Sequence, residues 1–345
     1  MQDTTPSLTT TSKQKRPFGK TAIFLLVAFA AGAVSTYLTI PPPPSLQGSI
    51  FQEVRANDTK NRFINPLLEC TVGEELFGSS LLKLSKTHIE QLIENKKQQG
   101  IVSHVSVYYR DLNNGPWMGI EEKEPFFPAS LLKVPIMMYY VRESERDLSL
   151  FQSVVTISAP EKEDNEQFYT PEKTVDYGVP YTVQELVERM IIYSDNRAVA
   201  VLTSMMPNNT LADMFSHLYV EPFTNPQDYQ MNVKEYAGFF RVLFNASFLN
   251  NEHSEQALNL LTHTTFNKGL VAKLPTDVLV AHKFGEYWLE GSDERQLHDC
   301  GIVYEPNSPY MICIMTRGKN MDLMAETIAE ISKLVYDQVH EVAKR

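Results

Sequence analysis

The alternation of apolar and polar positions divides the chain into an uncharged N-terminal run, a weakly patterned connector and a long stretch of helix-like and strand-like periods. From Lys86 to Gln99, Ile89, Leu92 and Ile93 recur at helical spacing among charges and Gly100 ends the pattern, which predicts an amphipathic helix. Val102, Val105, Val107 and Tyr109 then read as a strand, Asp111-Leu112-Asn113-Asn114-Gly115 as a turn, and Trp117 to Ile120 as the return strand. A long apolar helix is expected from near Ser130. Thr182 to Met206 reads as two helices broken at Tyr193-Ser194-Asp195-Asn196, because short polar side chains compete for the backbone there. Val233 to Phe244 gives another amphipathic helix, and Val278 to Phe284 a strand. Gly301 to Tyr304 and Pro309 to Met315 form a hairpin around Glu305-Pro306-Asn307-Ser308, and Met321 to Val342 a closing helix with Met324, Ile328, Ile331, Leu334 and Val335 on one face. Strands from both chain ends with a helical block between them predict an α+β fold. Its sheet is antiparallel and five-stranded, flanked by helices as an αβα sandwich, with an inserted all-helical lobe.

The run from Ala22 to Ile40 has 19 residues without a charge, enough at about 1.5 Å per residue to span a hydrocarbon core about 30 Å thick. Lys13, Lys15, Arg16 and Lys20 precede it and no basic residue follows until Arg55. The positive-inside bias then places residues 1–20 in the cytoplasm, 21–40 in the membrane and the remainder outside. Ala31 and Ala33 also allow a cleaved signal peptide. Pro41 to Pro44 reads as a stiff spacer and 41–80 as a stalk, although Phe51, Phe63, Ile64 and Leu67 are available to dock; 81–345 is the catalytic-sized domain.

The chain has 345 residues and is 43% apolar, which excludes a disordered tail, and it shows no repeat. With 31 basic and 42 acidic residues the net charge is -11, so a nucleic-acid partner is not expected. Of its 3 cysteines, Cys300 and Cys313 fall opposite each other in the predicted hairpin, as a cross-strand disulfide or as two small buried residues. No H-E-x-x-H or zinc spacing is present, and no metal or cofactor is expected. Gly19-Lys20-Thr21 imitates the end of a P-loop, but Gln14 stands where its first glycine belongs. The acidic run Glu161 to Glu166 reads as a solvated loop.

Candidate chemistry lies in three short patterns. A serine becomes a nucleophile when a base takes its proton, and a lysine is that base only when its amine is kept neutral. Ser130 and Lys133, at i and i+3 on a helix, make such a pair. Ser12–Lys15 and Ser80–Lys83 share the spacing, but only Ser130 opens a buried helix, Leu131-Leu132-Lys133-Val134-Pro135-Ile136-Met137-Met138. That setting dehydrates Lys133 and aims free N–H groups at a reacting carbonyl. Ser194-Asp195-Asn196 puts a hydroxyl and an amide two apart on a turn braced by Asp195. Lys283-Phe284-Gly285 puts a cation and bare backbone on a strand edge.

In this order, separated by 64 and 89 residues, S-x-x-K, S-D-N and K-x-G resemble the class A β-lactamases and the wider group of serine β-lactamases and penicillin-binding proteins. The resemblance covers roughly residues 85 to 340 and includes Phe127 to Pro135 and Thr316-Arg317-Gly318. It implies that Ser130 attacks an amide carbonyl, Lys133 takes its proton and Ser194 passes a proton to the departing nitrogen. It further implies that Asn196 holds the substrate's side-chain amide, and that Lys283 lowers the proton affinity around Ser194 and attracts a substrate carboxylate. Gly285 would line the substrate, and the backbone N–H groups of Ser130 and Glu286 would form the oxyanion hole.

Three features depart from that pattern. Phe284 stands where a threonine or serine hydroxyl is usual, and has no group for a carboxylate. A glutamate in E-x-x-L-N activates the deacylating water in class A enzymes; Glu221-Pro222-Phe223-Thr224-Asn225 offers Glu221. The arginine opposite the lysine strand is missing, and His298 is either a substitute donor or a structural residue. His298 and Asp299 make no triad with a serine, since neighbours on a strand face opposite ways. The sequence thus implies a membrane-anchored serine hydrolase opening β-lactams through an ester on Ser130. Its rivals are a D-Ala-D-Ala peptidase with slow deacylation and a non-catalytic module that binds cell-wall peptide.

Overall fold

The computed structural model describes residues 50–55, 61–73, 78–159, 167–218, 220, 229–288 and 291–344. The run from 22 to 40 expected to cross a membrane lies outside them, and among the described residues no helix is long and apolar enough to do so.

In chain order the elements are β1 (Ile50–Arg55), β2 (Leu67–Gly73), α1 (Gly78–Gln98), β3 (Val102–Asp111), β4 (Trp117–Ile120), α2 (Lys133–Arg146), β5 (Val154–Thr156), β6 (Pro180–Thr182), α3 (Val183–Ile192), α4 (Asn196–Met205), α5 (Thr210–His217), α6 (Val233–Phe244), α7 (Asn251–Leu261), β7 (Val280–Trp288), β8 (Arg295–Val303), β9 (Tyr310–Gly318) and α8 (Met321–Ala343). A 3₁₀ turn, Ala129–Leu132, leads into α2.

Strands β4-β3-β9-β8-β7 form one antiparallel sheet in that order, with β7 at an edge. Side chains on a strand alternate between faces, and β9 shows how this sorts the core. Ile312 and Ile314 join Ile89, Ile93, Ile328 and Ile331, from α1 and α8, in one buried cluster. Met311, Cys313 and Met315 join Phe239, Phe240 and Met137, from α6 and α2, in the other. Two apolar clusters on one sheet give the αβα sandwich with its helical lobe.

Local signals set the boundaries. Thr182 and Glu185 form a capping box at the start of α3, as Asn232 and Glu235 do for α6. The break at 193–196 is real: Ser194 has φ 58°, and Asp195 caps α4 by accepting the Arg197 N–H at 2.9 Å. Helix α7 is absent from the periodicity because its first half is polar; the Asn250 side chain, which accepts the His253 N–H at 2.9 Å, marks its start.

The expected stalk differs. Within 41–80, β1 and β2 pair, and Phe63 and Ile64 are 5% and 3% exposed in the helical-lobe cluster. The Glu255 carboxylate gathers the N–H groups of Arg62, Phe63 and Ile64 at 2.7, 2.8 and 3.0 Å, and the Asn65 N–H reaches the Phe244 carbonyl at 3.0 Å. A stalk would leave these two apolar side chains in water, and the domain offers a pocket and an acceptor for them. Cys300 and Cys313 are joined by a disulfide across the β8–β9 register.

Candidate active site

Ser130 lies in the 3₁₀ turn, just after Ala129, whose φ of 49° is left-handed. Such a conformation is costly for a residue with a Cβ. Both candidate hydroxyls therefore stand at left-handed kinks, Ser130 one residue after one and Ser194 within one. Ser130 is half-buried, and Lys133 follows three residues on at the first turn of α2.

Gly285 explains how β7 meets that turn. A Cβ at Gly285 would stand 2.8 Å from the Pro128 carbonyl oxygen and 3.0 Å from Leu131 N. The missing side chain lets the edge strand abut the Ser130 segment directly. From beneath, the Tyr236 hydroxyl donates to the Leu131 carbonyl at 3.0 Å.

Lys133, Ser194, Asn196 and Lys283 converge. Lys133 Nζ donates to the Ser194 carbonyl at 2.6 Å and lies 2.9 Å from Ser194 Oγ and 2.8 Å from Asn196 Oδ1. Lys283 Nζ approaches the same Ser194 Oγ at 2.9 Å and donates to the Phe284 carbonyl at 2.9 Å. Lys133, Ser194 and Lys283 are 3%, 1% and 0% exposed, so two amines flank one hydroxyl away from bulk water.

Burial penalises both ammonium forms. Lys133 is held well below the usual lysine range by desolvation first and by the charge of Lys283 second, against the pull of Asp195 and Glu286. Lys283 is brought down to about 7 by desolvation, opposed by Asp299 and Glu286. The carboxyls of Asp195 and Glu286 are pushed upward by burial, opposed by the backbone N–H groups they accept. A neutral Lys133 can accept a proton from a hydroxyl, and a cationic Lys283 can donate to Ser194 Oγ, so the trio can pass protons through one oxygen.

The remaining expected residues fall elsewhere. Of the two readings of His298, the geometry fits the structural one: it is fully buried, with Nε2 directed at the Phe127 carbonyl at 3.1 Å and its ring edge-on to Phe126. A ring nitrogen facing a carbonyl carries the proton, and desolvation holds the imidazole down at about 3. It is thus a neutral prop under the Ser130 segment. Phe284 is 4% exposed and stacks on Phe266 with ring centres 4.0 Å apart, and Lys283 Nζ lies over its ring at 4.2 Å from the centroid. Glu221 and its motif lie outside the described residues. The sequence reading missed Gln167, Phe168 and Tyr169: Gln167 Nε2 donates to the Ser194 carbonyl at 3.3 Å, and the Phe168 and Tyr169 N–H groups donate to the Glu286 carboxylate. No local motif announces these contacts.

A lysine-flanked serine turn, a second serine at the head of a buried helix and an antiparallel edge strand closing against both make the arrangement of a β-lactamase-like serine hydrolase or a penicillin-binding-protein-like enzyme. Residues 85–339 match the β-lactamase enzyme family, and the chain belongs to that family. Solved structures similar to it include a PBP-A mutant in acyl-enzyme complex with penicillin G, 21% identical, with a TM-score of 0.61, covering 74% of this chain and 97% of that one. The TLA-3 extended-spectrum β-lactamase is 17% identical, with a TM-score of 0.65 and coverage of 75% and 99%. A representative class A β-lactamase from Bacteroides cellulosilyticus DSM 14838 is 18% identical, with a TM-score of 0.64 and coverage of 74% and 99%. No curated protein matches the chain.

Proposed function

We propose that the protein opens β-lactams through an ester on Ser130, in a domain tethered outside the membrane by residues 21–40. The observation that carries this reading is the single hydroxyl, Ser194 Oγ, shared at 2.9 Å by Lys133 and Lys283. Ser130 Oγ bonds to the lactam carbonyl carbon and gives its proton to neutral Lys133. The carbonyl oxygen takes the negative charge, facing the backbone N–H groups of Ser130 and Glu286. As the C–N bond breaks, Ser194 hands its proton to the nitrogen and regains one from Lys133, with Lys283 stabilising the charge on its oxygen. Water then cleaves the ester, and Glu221 is our candidate for activating it. Asn196 is left to orient the substrate's side-chain amide. The Phe284 ring, 4.2 Å from Lys283 Nζ, has no hydroxyl to offer, so a substrate carboxylate is left Lys283 and backbone to meet it along β7.

The test is mass spectrometry of residues 41–345 mixed with a penicillin, alongside nitrocefin hydrolysis. An adduct on Ser130 that decays as nitrocefin is consumed supports the lactamase, and no adduct on wild type disposes of acylation altogether. A lasting adduct supports the slow-deacylating peptidase, the second reading, which the substituted K-x-G strand favours. Ser130→Ala should give no adduct in either case, and Glu221→Gln should make the adduct persist if Glu221 activates the water.

A further inference from the structure

One buried carboxylate beside the site has no part in the steps above. Glu286 follows Gly285 on β7, and its side chain is 8% exposed. Its Oε1 accepts the Phe168 N–H at 2.8 Å and its Oε2 the Tyr169 N–H at 3.2 Å. These amides begin a strap, residues 167–175, whose other anchors lie on the Ser194 turn and the helices that flank it. Gln167 Nε2 donates to the Ser194 carbonyl at 3.3 Å, the oxygen that also receives Lys133 Nζ. The Val175 N–H donates to Asp195 Oδ2 at 2.7 Å, and its carbonyl accepts from Arg197 Nη1 at 3.1 Å. Arg189 Nη1 donates to the Thr174 carbonyl at 3.2 Å. The Tyr169 ring meets Phe266 and Phe284 edge-on at 5.1 and 6.2 Å.

The strap therefore runs from β7 to the Ser194 turn, and a carboxylate ties each end. Asp195 adjoins Ser194 and Glu286 adjoins Gly285, so each tie is covalently next to a motif residue. Two carboxylate oxygens on two consecutive N–H groups make a directional clamp, stronger than neutral hydrogen bonds would be. A second link runs through Thr264 and Thr265, which bond the His282 carbonyl at 2.9 Å and the Ile192 carbonyl at 3.0 Å, but it ends two residues before Ser194, whereas Gln167 of the strap reaches the Ser194 carbonyl itself.

We propose that Glu286 is a positioning residue for acylation: by clamping Phe168 and Tyr169 it sets Gln167 against the Ser194 carbonyl, and so holds the Ser194 turn in reach of both Lys133 and Lys283. The proposal rests on the Ser130 reading above. Besides its electrostatic pull on Lys133 and Lys283, Glu286 acts through the strap, and its carboxylate touches none of the reacting atoms.

The test is stopped-flow acylation of the full chain by nitrocefin, resolved into a dissociation constant for the first complex and a bond-forming rate constant. Glu286→Gln presents an amide N–H to a backbone N–H and breaks the clamp; it should lower the bond-forming rate about 30-fold and leave the dissociation constant within about twofold. Glu286→Asp, which keeps the charge, should recover about tenfold of that loss, and Gln167→Leu alone should cost about tenfold. Because both residues act through one strap, the double variant Glu286→Gln/Gln167→Leu should be no slower than Glu286→Gln by more than about twofold. A double variant whose losses multiply, or Glu286→Gln at the wild-type rate, overturns the proposal. If Glu286→Gln does not fold, the cycle is run with Glu286→Asp, and the double variant should then be no slower than Gln167→Leu by more than about twofold. If wild type forms no adduct, the Ser130 reading fails separately, and amide exchange decides the strap. Phe168 and Tyr169 should then exchange about 100-fold faster in Glu286→Gln than in wild type, and unchanged exchange sinks the clamp.

Discussion

On the face of β7 turned toward the helical lobe, two lysines share one hydroxyl; on the other face, one residue along, a histidine meets an aspartate. Lys133 and Lys283 both stand 2.9 Å from Ser194 Oγ. His282 Nδ1 lies 2.9 Å from Asp299 Oδ1, and Asp299 Oδ2 accepts the Leu270 N–H at 2.8 Å. Both clusters are buried, and both are hydrogen-bonded. They differ in what they do to charge. The second brings an acid to donors that match it and ties the loop before β7 to the sheet. The first brings two cations together with desolvation as the main effect on each, so neither amine keeps its ordinary proton affinity. Burial that leaves the proton affinities of the two lysines displaced makes groups able to exchange protons near neutral pH.

The contrast can be broken by substitution, and the largest effect belongs to the lysine pair. Lys133→Ala should slow acylation of Ser130 by about 1000-fold while leaving the melting temperature unchanged or higher, because a costly buried amine is removed. Rates close to wild type would take Lys133 out of the mechanism. Asp299→Ala should do the reverse, lowering stability to denaturant by about 3 kcal/mol, since His282 and the Leu270 N–H lose their acceptor. Acylation per folded molecule should fall by less than about tenfold, the part due to Asp299 supporting the charge on Lys283.

A pH profile sharpens the same comparison. Lys283 sits at about 7 in the fold against an ordinary 10.5, so above pH 7 it loses the charge that steadies Ser194. Acylation should fall by up to about tenfold per pH unit above that point, and the fall should vanish in Lys283→Met. Between pH 7 and 10.5 the unfolded chain binds more protons at this site than the fold does, so its contribution to stability rises with pH. The smallest effect is at His298, held at about 3 against an ordinary 6.5. Here too the unfolded state takes up the proton first, so stability from this group is lost as pH falls from 6.5 toward 3. His298→Leu should remove that acid limb and cost about 1 kcal/mol at pH 7 for the lost bond to the Phe127 carbonyl.

What could be read in advance follows the range of each interaction. Ser130 with Lys133, and Ser194 with Asn196, are neighbours along the chain, so spacing alone groups them. The five strands were visible as short β-forming runs, although β8 starts at Arg295, ahead of its predicted run from Gly301. The Glu286 clamp joins residues 118 apart with no motif at either end, and the His298 bond joins residues 171 apart. His298 read as either a donor for substrate or a structural residue, because its place opposite the lysine strand was legible while the carbonyl that occupies its nitrogen was not. Phe63 and Ile64 were legible as side chains available to dock, but not the acceptor that fixes them, since Glu255 lies in a helix with a weak apolar period.

The pairing of β3 with β9, in which Val107 faces Ile314, has a consequence for how the enzyme comes into being. A chain emerging from the ribosome, or threading a translocation channel, must present β3 and β4 long before their neighbour is made, leaving one open edge that only the last strands can close. Lys283 also arrives late, so Ser194 waits beside a single amine until then. A chain cut before residue 310 lacks β9 and should be prey for proteases.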